Sequence, residues 1–438
     1  MAKKLLIIQP SHYRSRSDPT VIRSRKRKVV PLTLPYLAAL TPADWEVKLM
    51  DEQLDGVDFN AACDLAAITV WTINSLRAYD IADRFRDRGI PVIMGGPHIF
   101  FHTAEAAGHC DSMGIGEGEG IWREMLADAE SGRLKKIYRS GFLQDLAGLP
   151  LPRYDLLDMK RFGIFKTFSV QSSRGCPFKC EFCSERFYLG EHYRFRPVPE
   201  VIGEIRSSGA GNVLFADSNF GGNTGHAMDL MKAMVPLKIR WSALWPARLC
   251  GNREFLDLAR RSGVLHVNIG LESVNPETLG EMNKKMNVMD WDGIFREMGK
   301  RGISYSLNFI FGSDSDTEGV FAATRSFLMR NRVPAAYFYI LTPHKGSQLY
   351  ERLESEGRII DIDGLGRWPG ATCRIRPLHF TPEGLVQNIK GLHRDFYSLK
   401  SMLARLPPPF SKSALASWMI NMAERKSFRT GAENFSDL

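Results

Sequence analysis

Three cysteines lie within eight residues of this chain, and their spacing limits what the segment around them can become. Cys176, Cys180 and Cys183 follow the pattern C-x3-C-x2-C. A structural zinc site takes four protein ligands in two paired groups, and no second group of cysteines occurs here. A [4Fe–4S] cluster is normally held by four cysteines. Three thiolates would therefore hold such a cluster and leave one iron open to a small ligand.

The other four cysteines are scattered, and the composition is that of an ordinary globular protein. The chain has 438 residues, seven cysteines and a formal net charge of +9. Its opening, MAKKLLIIQP, holds an apolar run too short for the core of a signal peptide. No stretch approaches the roughly 20 apolar residues of a membrane span. These features predict a cytoplasmic protein with reduced thiols and no membrane span.

Strand and helix patterns alternate after the cysteines. The segment 168–171 reads as a strand that leads into the cysteine loop, where Gly175 and Pro177 favour an irregular backbone. Helical segments separate five further apolar strands at 211–219, 239–247, 266–272, 304–312 and 336–341. This alternation predicts an α/β fold with a parallel sheet, whose functional groups lie at the carboxyl ends of the strands.

The run RGCPFKCEFC at 174–183 resembles the cluster loop of the radical S-adenosylmethionine (SAM) superfamily. The resemblance implies a partial (β/α)6 radical SAM barrel. It also implies that Cys176, Cys180 and Cys183 bind a [4Fe–4S] cluster whose open iron chelates the amino and carboxylate groups of S-adenosylmethionine. One electron from the cluster would then cleave the sulfonium and give a 5′-deoxyadenosyl radical.

Polar groups at the strand ends match positions that this family uses for S-adenosylmethionine. Glu272, in the run GLES, can accept hydrogen bonds from ribose hydroxyls or from an ammonium group. Taken alone, Arg248 or Glu272 could be an ordinary polar residue of a surface loop, and the ordered series carries the prediction. The implied set is Phe182, Asp217, Ser218, Ser242, Arg248, Glu272 and Gly312. No catalytic residue is assigned.

The first 140 residues read as a second α/β domain. Strands at 3–10, 45–51, 65–70, 92–94 and 112–115 predict a doubly wound, Rossmann-like sheet. The runs PLTLPYLAAL, MGGPH and GEGE resemble the cobalamin-binding domain of cobalamin-dependent radical SAM enzymes. The resemblance implies a cobalamin site in which glycines let the backbone approach a bulky ligand. Its members are Trp71, Thr72, Asn74, Gly95, Gly96, Pro97, His98, Gly116, Glu117 and Gly118.

One motif of other cobalamin domains is absent. The sequence D-x-H-x-x-G, which supplies an imidazole to cobalt, does not occur. The resemblance instead places Trp71, Thr72 and Asn74 below the cobalt as a neutral floor. His98 could be a cobalt ligand, but a turn histidine that hydrogen-bonds to backbone is preferred. A zinc site at His98, His102, His109 and Cys110 has no recognisable spacing.

These segments predict four regions in order. They are a Rossmann-like cobalamin-binding domain at 1–140, a linker at 141–167, the barrel at 168–380 and a helical C-terminal region at 381–438 with a disordered tail. The C-terminal helices could cap the barrel or close its mouth over substrate. The basic run RSRKRK at 23–28 is interpreted as a solvated loop, with an anion clamp or a nucleic-acid contact as alternatives.

The resemblance implies a C-methyltransferase that acts on an unactivated carbon through a 5′-deoxyadenosyl radical and methylcobalamin. The alternatives are a cyclase or rearrangement enzyme with the same cofactors and a non-catalytic cobalamin or iron–sulfur sensor. A tRNA methylthiotransferase is disfavoured because its further cluster cysteines are missing. Expected partners are a small-molecule or peptide substrate and an acidic flavodoxin- or ferredoxin-type reductant, without nucleic acid. The substrate is not legible in the sequence.

Overall fold

The computed structural model describes residues 2–15, 18–143, 145–284, 291–360 and 370–430, whose strands form two large parallel sheets. The strands are β1 Lys3–Gln9, β2 Arg27–Val30, β3 Trp45–Asp51, β4 Leu65–Thr69, β5 Val92–Gly95, β6 Ser112–Ile115, β7 Ile137–Arg139, β8 Phe162–Val170, β9 Ser173–Arg174, β10 Arg194–Phe195, β11 Asn212–Phe215, β12 Arg240–Pro246, β13 Val264–Glu272, β14 Ser304–Phe311 and β15 Ala335–Ile340.

Helices flank both sheets and follow most of the strands. They are α1 Thr33–Leu40, α2 Ser75–Arg86, α3 Pro97–Phe101, α4 Thr103–Ala106, α5 Trp122–Glu130, α6 Glu185–Leu189, α7 Val198–Ser207, α8 Thr224–Met234, α9 Arg253–Ser262, α10 Pro276–Glu281, α11 Trp291–Lys300, α12 Gly319–Arg330, α13 Gln348–Ser355, α14 Pro382–Phe396, α15 Leu399–Arg405 and α16 Lys412–Thr430.

The N-terminal sheet has the strand order β3-β1-β4-β5-β6-β7, with every pair parallel. The five predicted strands are all present, and the short strand β7 adds a sixth. The apolar runs of β1 and β4 are buried because helices cover both faces of the sheet. The order reverses between β1 and β4, and in such sheets ligands lie beyond the carboxyl ends of the strands at this point.

The second sheet has the order β15-β14-β13-β12-β11-β8-β2 and is also parallel. Its six predicted barrel strands are confirmed, and so is the α/β fold class. Two features differ from the sequence prediction. Strand β8 begins at Phe162, inside the predicted linker. Strand β2 includes Arg27 and Lys28, the end of the basic run expected in a solvated loop, and it extends the barrel sheet beside β8, with Val30 opposite Phe168.

The helices α7, α8 and α9 pack on the outer face of the barrel sheet. Trp241 and Trp245 of β12 are fully buried there, and Phe255 of α9 contacts Trp245. The alternate positions of the strands face the other way and are partly exposed, among them Ser242, His266 and Asn308. The barrel therefore buries an aromatic core on its outer face and presents neutral polar groups on its inner face.

Two of the C-terminal helices, α15 and α16, contact the amino ends of the barrel strands, whereas α14 packs along β15, and a Cβ at Gly312 would lie 2.8 Å from the Leu385 side chain of α14. Ser417 of α16 hydrogen-bonds to Ser304, the first residue of β14, at 2.8 Å. Arg405 of α15 donates to the carbonyl of Val333, just before β15, at 2.7 Å. These contacts favour the structural cap over closure of the barrel mouth, which lies at the opposite edge. The sequence predicts a disordered tail over the last dozen residues, but α16 continues to Thr430, and the rest of the tail, 431–438, lies outside the described residues.

No helix among the described residues has the length and apolar character needed to cross a bilayer.

Candidate functional site

The cysteine loop leaves the barrel sheet after β8 and is closed at its base by a two-residue antiparallel pair. Strands β9 and β10 place Arg174 opposite Arg194 and Ser173 opposite Phe195. Gly175 has a φ of +84°, and a Cβ there would lie 2.3 Å from the carbonyl oxygen of His192. Only glycine allows the chain to turn this tightly into the cysteine segment.

The three thiols of this loop lie close enough to influence one another electrostatically. Burial raises the pKa of Cys183 to about 12, and the thiols of Cys180 and Cys176 add to the rise. All three are unpaired and half-buried. Such neutral, clustered thiols fit a cationic metal centre, which would stabilise their thiolate forms.

The thiols are not arranged around a single ion. Within the described part of the chain, no three His, Cys, Asp or Glu side chains form a site for one metal ion. The ligands of a four-iron cluster each bind a different iron, so they lie further apart than the ligands of one zinc. Cys176, Cys180 and Cys183 therefore do not form a zinc-type site, and their binding of a cluster stays a prediction.

The carboxylate of Asp217, just after β11, accepts four hydrogen bonds from the two serines that lead into the cysteine loop. Its carboxylate accepts from the backbone N–H groups of Ser172 and Ser173, at 2.7 and 3.1 Å, and from both of their hydroxyls. Next to it, the Ser218 hydroxyl donates to Glu185 of α6. The structure thus gives Asp217 an anchoring role, and direct contact of Asp217 or Ser218 with S-adenosylmethionine stays a prediction.

Asn219, which the sequence prediction omitted, contacts the first cysteine. Its amide nitrogen lies 3.7 Å from Cys176 Sγ, and its Oδ1 atom is buried without a partner among the described residues. In the turn after β12, Arg248 donates to the carbonyl of Gly221 at 2.8 Å, and its guanidinium lies 5.9 Å from the ring centre of Phe178. Both residues therefore border the cysteine loop.

Glu272 ends β13 in a left-handed backbone conformation, with a φ of +69°. Its carboxylate lies 2.8 Å from Nζ of Lys284, a second residue that the sequence prediction missed. Burial opposes the charge of Lys284, but Glu272 and the Cys180 thiol outweigh it and raise the lysine's pKa. The pair links the end of β13 to the cysteine loop, where Asn283 also donates to Lys179 O at 2.9 Å.

The end of β14 offers a glycine and an unused hydroxyl. Gly312 has a φ of +104°, and its N–H donates to Asp316 at 2.9 Å. The buried Ser313 hydroxyl has no partner among the described residues. A buried donor without a partner costs free energy, so this position fits a polar ligand. Phe182 is partly buried against Met282 and the start of the loop after β15.

In the N-terminal sheet, Trp71 follows β4 and is 52% exposed, although it lies at an edge where ligands of such folds bind. The Asn74 side chain accepts from Trp71 N–H at 2.8 Å and donates to Pro10 O at 3.2 Å, so it fixes this loop. His98 is fully buried, with Nε2 at 2.9 Å from the Tyr79 hydroxyl and Nδ1 at 3.2 Å from the Thr72 hydroxyl. Both ring nitrogens of His98 are therefore in hydrogen bonds within the protein, which disfavours His98 as a cobalt ligand.

The glycines of the N-terminal turns serve the chain's own backbone. A Cβ at Gly96 would lie 2.7 Å from the Val70 carbonyl oxygen, and one at Gly116 would lie 2.2 Å from the Ser140 carbonyl oxygen. The sequence predicts that these glycines let a ligand approach the backbone. At Gly96 and Gly116, the backbone that approaches is instead that of Val70 and Ser140. Gly95, Pro97 and Gly118 lie beside these two glycines, and their part in ligand binding stays a prediction.

The carboxyl edges of the two large sheets face each other across the cysteine loop. Glu117, after β6, forms an ion pair with Arg194 at 2.9 Å, and Phe100 of α3, after β5, packs edge-on against Tyr188 of α6 with ring centres 5.6 Å apart. Phe101 also approaches Gly346, in the loop after β15. The turns after β5 and β6, predicted to face cobalamin, therefore contact the cysteine loop and the loop after β15.

Comparison with known proteins gives concordant results. Residues 170–328 match the model of the radical SAM superfamily. The chain is 29% identical to the bacteriochlorophyllide d C-12(1)-methyltransferase of Chlorobaculum tepidum, over 97% of this chain and 94% of that protein. It is 26% identical to the C-8(2)-methyltransferase of the same organism, over 87% and 88%.

A solved structure shares the fold over the whole length. The radical SAM methyltransferase TsrM of Kitasatospora setae, determined with cobalamin and a [4Fe–4S] cluster bound, superposes with a TM-score of 0.69. The match covers 99% of this chain and 100% of that one, at 17% sequence identity. At this identity the likeness establishes the two-domain fold alone.

Proposed function

Since the chain belongs to the cobalamin-dependent radical SAM enzymes, we propose that it is a C-methyltransferase that acts on an unactivated carbon. The observation that carries this proposal is the facing of the two carboxyl edges across the cysteine loop. Methyl transfer to a carbon radical needs the radical source and the methyl carrier within reach of the same carbon atom of the substrate. The contact of the turns after β5 and β6 with the cysteine loop supports that requirement.

The chain's own residues divide into three groups in this proposal. Cys176, Cys180 and Cys183 would hold the cluster. Glu272, Ser313 and the backbone of Gly312 would bind and orient S-adenosylmethionine, together with Phe182, Ser218, Ser242 and Arg248. Trp71 and the turns after β5 and β6 would face cobalamin. When bound, the cluster supplies the electron that cleaves S-adenosylmethionine, and cobalamin carries the methyl group.

The inner face of the barrel would receive the substrate. Its partly exposed side chains include the neutral polar groups Ser242, His266, Asn268 and Asn308. Burial lowers the pKa of His266 to about 4, so this imidazole is neutral at physiological pH. Neutral hydrogen-bonding side chains suit a small molecule with polar substituents. Chlorophyllide-type tetrapyrroles are the first substrates to test, because the two relatives named above act on bacteriochlorophyllide d.

Two further parts of the proposal concern the cellular location of the protein and its electron donor. A cytoplasmic location is supported by seven unpaired cysteines, which suit a reducing compartment. The net charge of +9 supports docking of an acidic flavodoxin- or ferredoxin-type reductant. A cluster reduction rate that does not fall with rising ionic strength would contradict this docking.

The coproducts of S-adenosylmethionine test the proposed function. Anaerobically reconstituted protein, supplied with hydroxocobalamin, reductant and candidate substrates, should form S-adenosylhomocysteine and 5′-deoxyadenosine in equal amounts. Formation of 5′-deoxyadenosine alone, with substrate consumed, would favour the cyclase or rearrangement alternative. A protein that binds cluster and cobalamin but never cleaves S-adenosylmethionine with any accepted ligand would favour the sensor alternative.

A further inference from the structure

The base of the cysteine loop carries two arginines in direct opposition. Arg174 of β9 and Arg194 of β10 form the cross-strand pair that closes the loop, and the side chain of each is only 9% exposed. Like charges placed directly opposite in an antiparallel pair destabilise it, and burial increases that cost. The loop that contains Cys176, Cys180 and Cys183 is thus closed by two buried positive charges, which need negative charges from another part of the chain.

The neutralising charge comes from the N-terminal domain. Glu117, whose side chain is 4% exposed, contacts both arginines: Oε1 lies 3.3 Å from Arg174 Nη1 and 2.9 Å from Arg194 Nη2. Its Oε2 accepts from Arg194 Nη1 at 3.1 Å and from the backbone N–H of Leu143. One carboxylate therefore bridges the two strands that enter and leave the loop.

A second carboxylate from the same turn completes the arrangement. Glu119 accepts from Arg174 Nη2 at 2.6 Å and from the Tyr36 hydroxyl at 2.6 Å. Two buried carboxylates thus face two buried guanidiniums, which balances the charge. Since charge-assisted hydrogen bonds of guanidinium to carboxylate are directional, the pairing fixes orientation as well as charge.

Both arginines also reach into the loop itself. Arg194 donates to the carbonyl of Leu189 at 2.6 Å, at the end of α6. Arg174 directly precedes Gly175, and Cys176 N–H donates to Gly190 O at 3.3 Å. A shift of either guanidinium would therefore move backbone that is bonded to the first cysteine's neighbours.

We propose that Glu117, supported by Glu119, is a positioning residue that holds the iron–sulfur loop in its cluster-binding shape from the neighbouring domain. The G-E-G-E turn, which its resemblance assigns to cobalamin, then serves the cluster through its carboxylates. This inference depends on a cluster at Cys176, Cys180 and Cys183, and it does not depend on methyl transfer.

The test is a double-mutant comparison on the full-length, reconstituted protein. Glu117→Gln removes the charge at nearly constant volume and leaves the opposed arginines without their bridge. Arg194→Gln in the same background removes the repulsion. The matched control is Glu124→Gln, the same change in an exposed ion pair with Lys135. The measurements are the rate of iron loss to a chelator, the electron paramagnetic resonance spectrum of the reduced cluster and the midpoint of thermal unfolding.

The proposal expects Glu117→Gln to lose iron about tenfold faster than the unmodified chain and to broaden the cluster spectrum, because removing one partner of a buried ion pair is costly. It expects the iron-loss rate of Glu117→Gln/Arg194→Gln to lie between those of Glu117→Gln and the unmodified chain. Glu124→Gln should lose iron at the rate of the unmodified chain. Two results would overturn the proposal: iron loss and spectrum unchanged in Glu117→Gln, or a faster iron loss in Glu117→Gln that the added Arg194→Gln change does not slow.

Discussion

Lys284 Nζ and Glu272 Oε1 lie 2.8 Å apart, and this contact joins the end of a barrel strand to the neighbourhood of the Cys180 thiol. Glu272 holds a left-handed backbone conformation that is uncommon for a residue with a side chain. Such strain persists where the surrounding structure imposes it and is concentrated at functional sites. The carboxylate is thus held in place before any ligand arrives.

The first prediction concerns this carboxylate. Glu272→Gln keeps the shape of the side chain but removes the negative charge that would accept from S-adenosylmethionine. We expect the affinity of the cluster-loaded protein for S-adenosylmethionine to fall about tenfold, as charge-assisted hydrogen bonds contribute roughly 1.5–3 kcal/mol. Equilibrium dialysis with labelled S-adenosylmethionine measures it. Glu277→Gln, on the exposed start of α10, is the control, and equal affinities of the two variants would contradict the assignment.

A second prediction separates anchoring from ligand binding at the end of β11. Asp217→Ala leaves the N–H groups of Ser172 and Ser173 buried without an acceptor. We expect the free energy of unfolding in urea to fall by about 3 kcal/mol, since each such group costs roughly 1–3 kcal/mol. Ser218→Ala, one residue further along, should change it little, because the Ser218 hydroxyl donates to the exposed side chain of Glu185 of α6. A stability of Asp217→Ala close to that of Ser218→Ala would refute the anchoring role.

The third prediction uses pH. His266 hydrogen-bonds to the Ser304 and Ser306 hydroxyls, at 2.9 and 3.0 Å, and burial lowers its pKa from 6.5 to about 4. Below pH 6.5 the unfolded chain therefore binds a proton that the folded chain does not, and stability is lost as the pH falls towards 4. Between pH 7 and pH 5 this single group accounts for about 2 kcal/mol.

The free energy of unfolding should therefore fall by about 2 kcal/mol less in His266→Gln than in the unmodified chain when the pH is lowered from 7 to 5. His102 and His344 also have a pKa lowered to about 4 by burial, so part of the fall remains in the variant. His379→Gln, at an exposed histidine, serves as the control. The same slope in both variants would show that His266 is not the buried neutral group described here.

A fourth prediction addresses the N-terminal ligand site through its exposed indole. Trp71→Ala should weaken the binding of hydroxocobalamin about tenfold or more, because a large aromatic side chain that becomes buried against a ligand contributes several kcal/mol. Absorption titration of the reconstituted protein measures the affinity. Phe410→Ala, at an aromatic residue 94% exposed in the C-terminal region, should bind like the unmodified chain. Equal binding by both variants would remove Trp71 from the site.

Much of the fold was accessible from the sequence because each barrel strand and its following helix are local patterns. The apolar run of β13 and the amphipathic spacing of α9 are legible within single windows. Strand β2 was not, because Arg27–Val30 pairs with β8 more than a hundred residues away, and nothing local in a basic run records that partner. Register between distant segments depends on the assembled sheet.

The residues of the candidate site also differ in how far the sequence predicts them. The cysteines and the residues at strand ends follow from motifs, whereas Lys284, Asn219 and Arg194 carry no motif of their own. The G-E-G-E motif singles out Glu117, but the arginines that it contacts lie in the other domain. The signal that could have pointed to them is charge, because a buried loop base with two arginines requires two carboxylates.

The transfer of a labelled methyl group tests the central claim most directly. Reconstituted protein would be incubated anaerobically with hydroxocobalamin, a reductant, a chlorophyllide-type substrate and S-adenosylmethionine deuterated in its methyl group, followed by mass spectrometry of the substrate. The account predicts a product that carries the deuterated methyl group on a carbon, formed together with equal amounts of S-adenosylhomocysteine and 5′-deoxyadenosine. A product that forms with 5′-deoxyadenosine but without deuterium and without S-adenosylhomocysteine would contradict it.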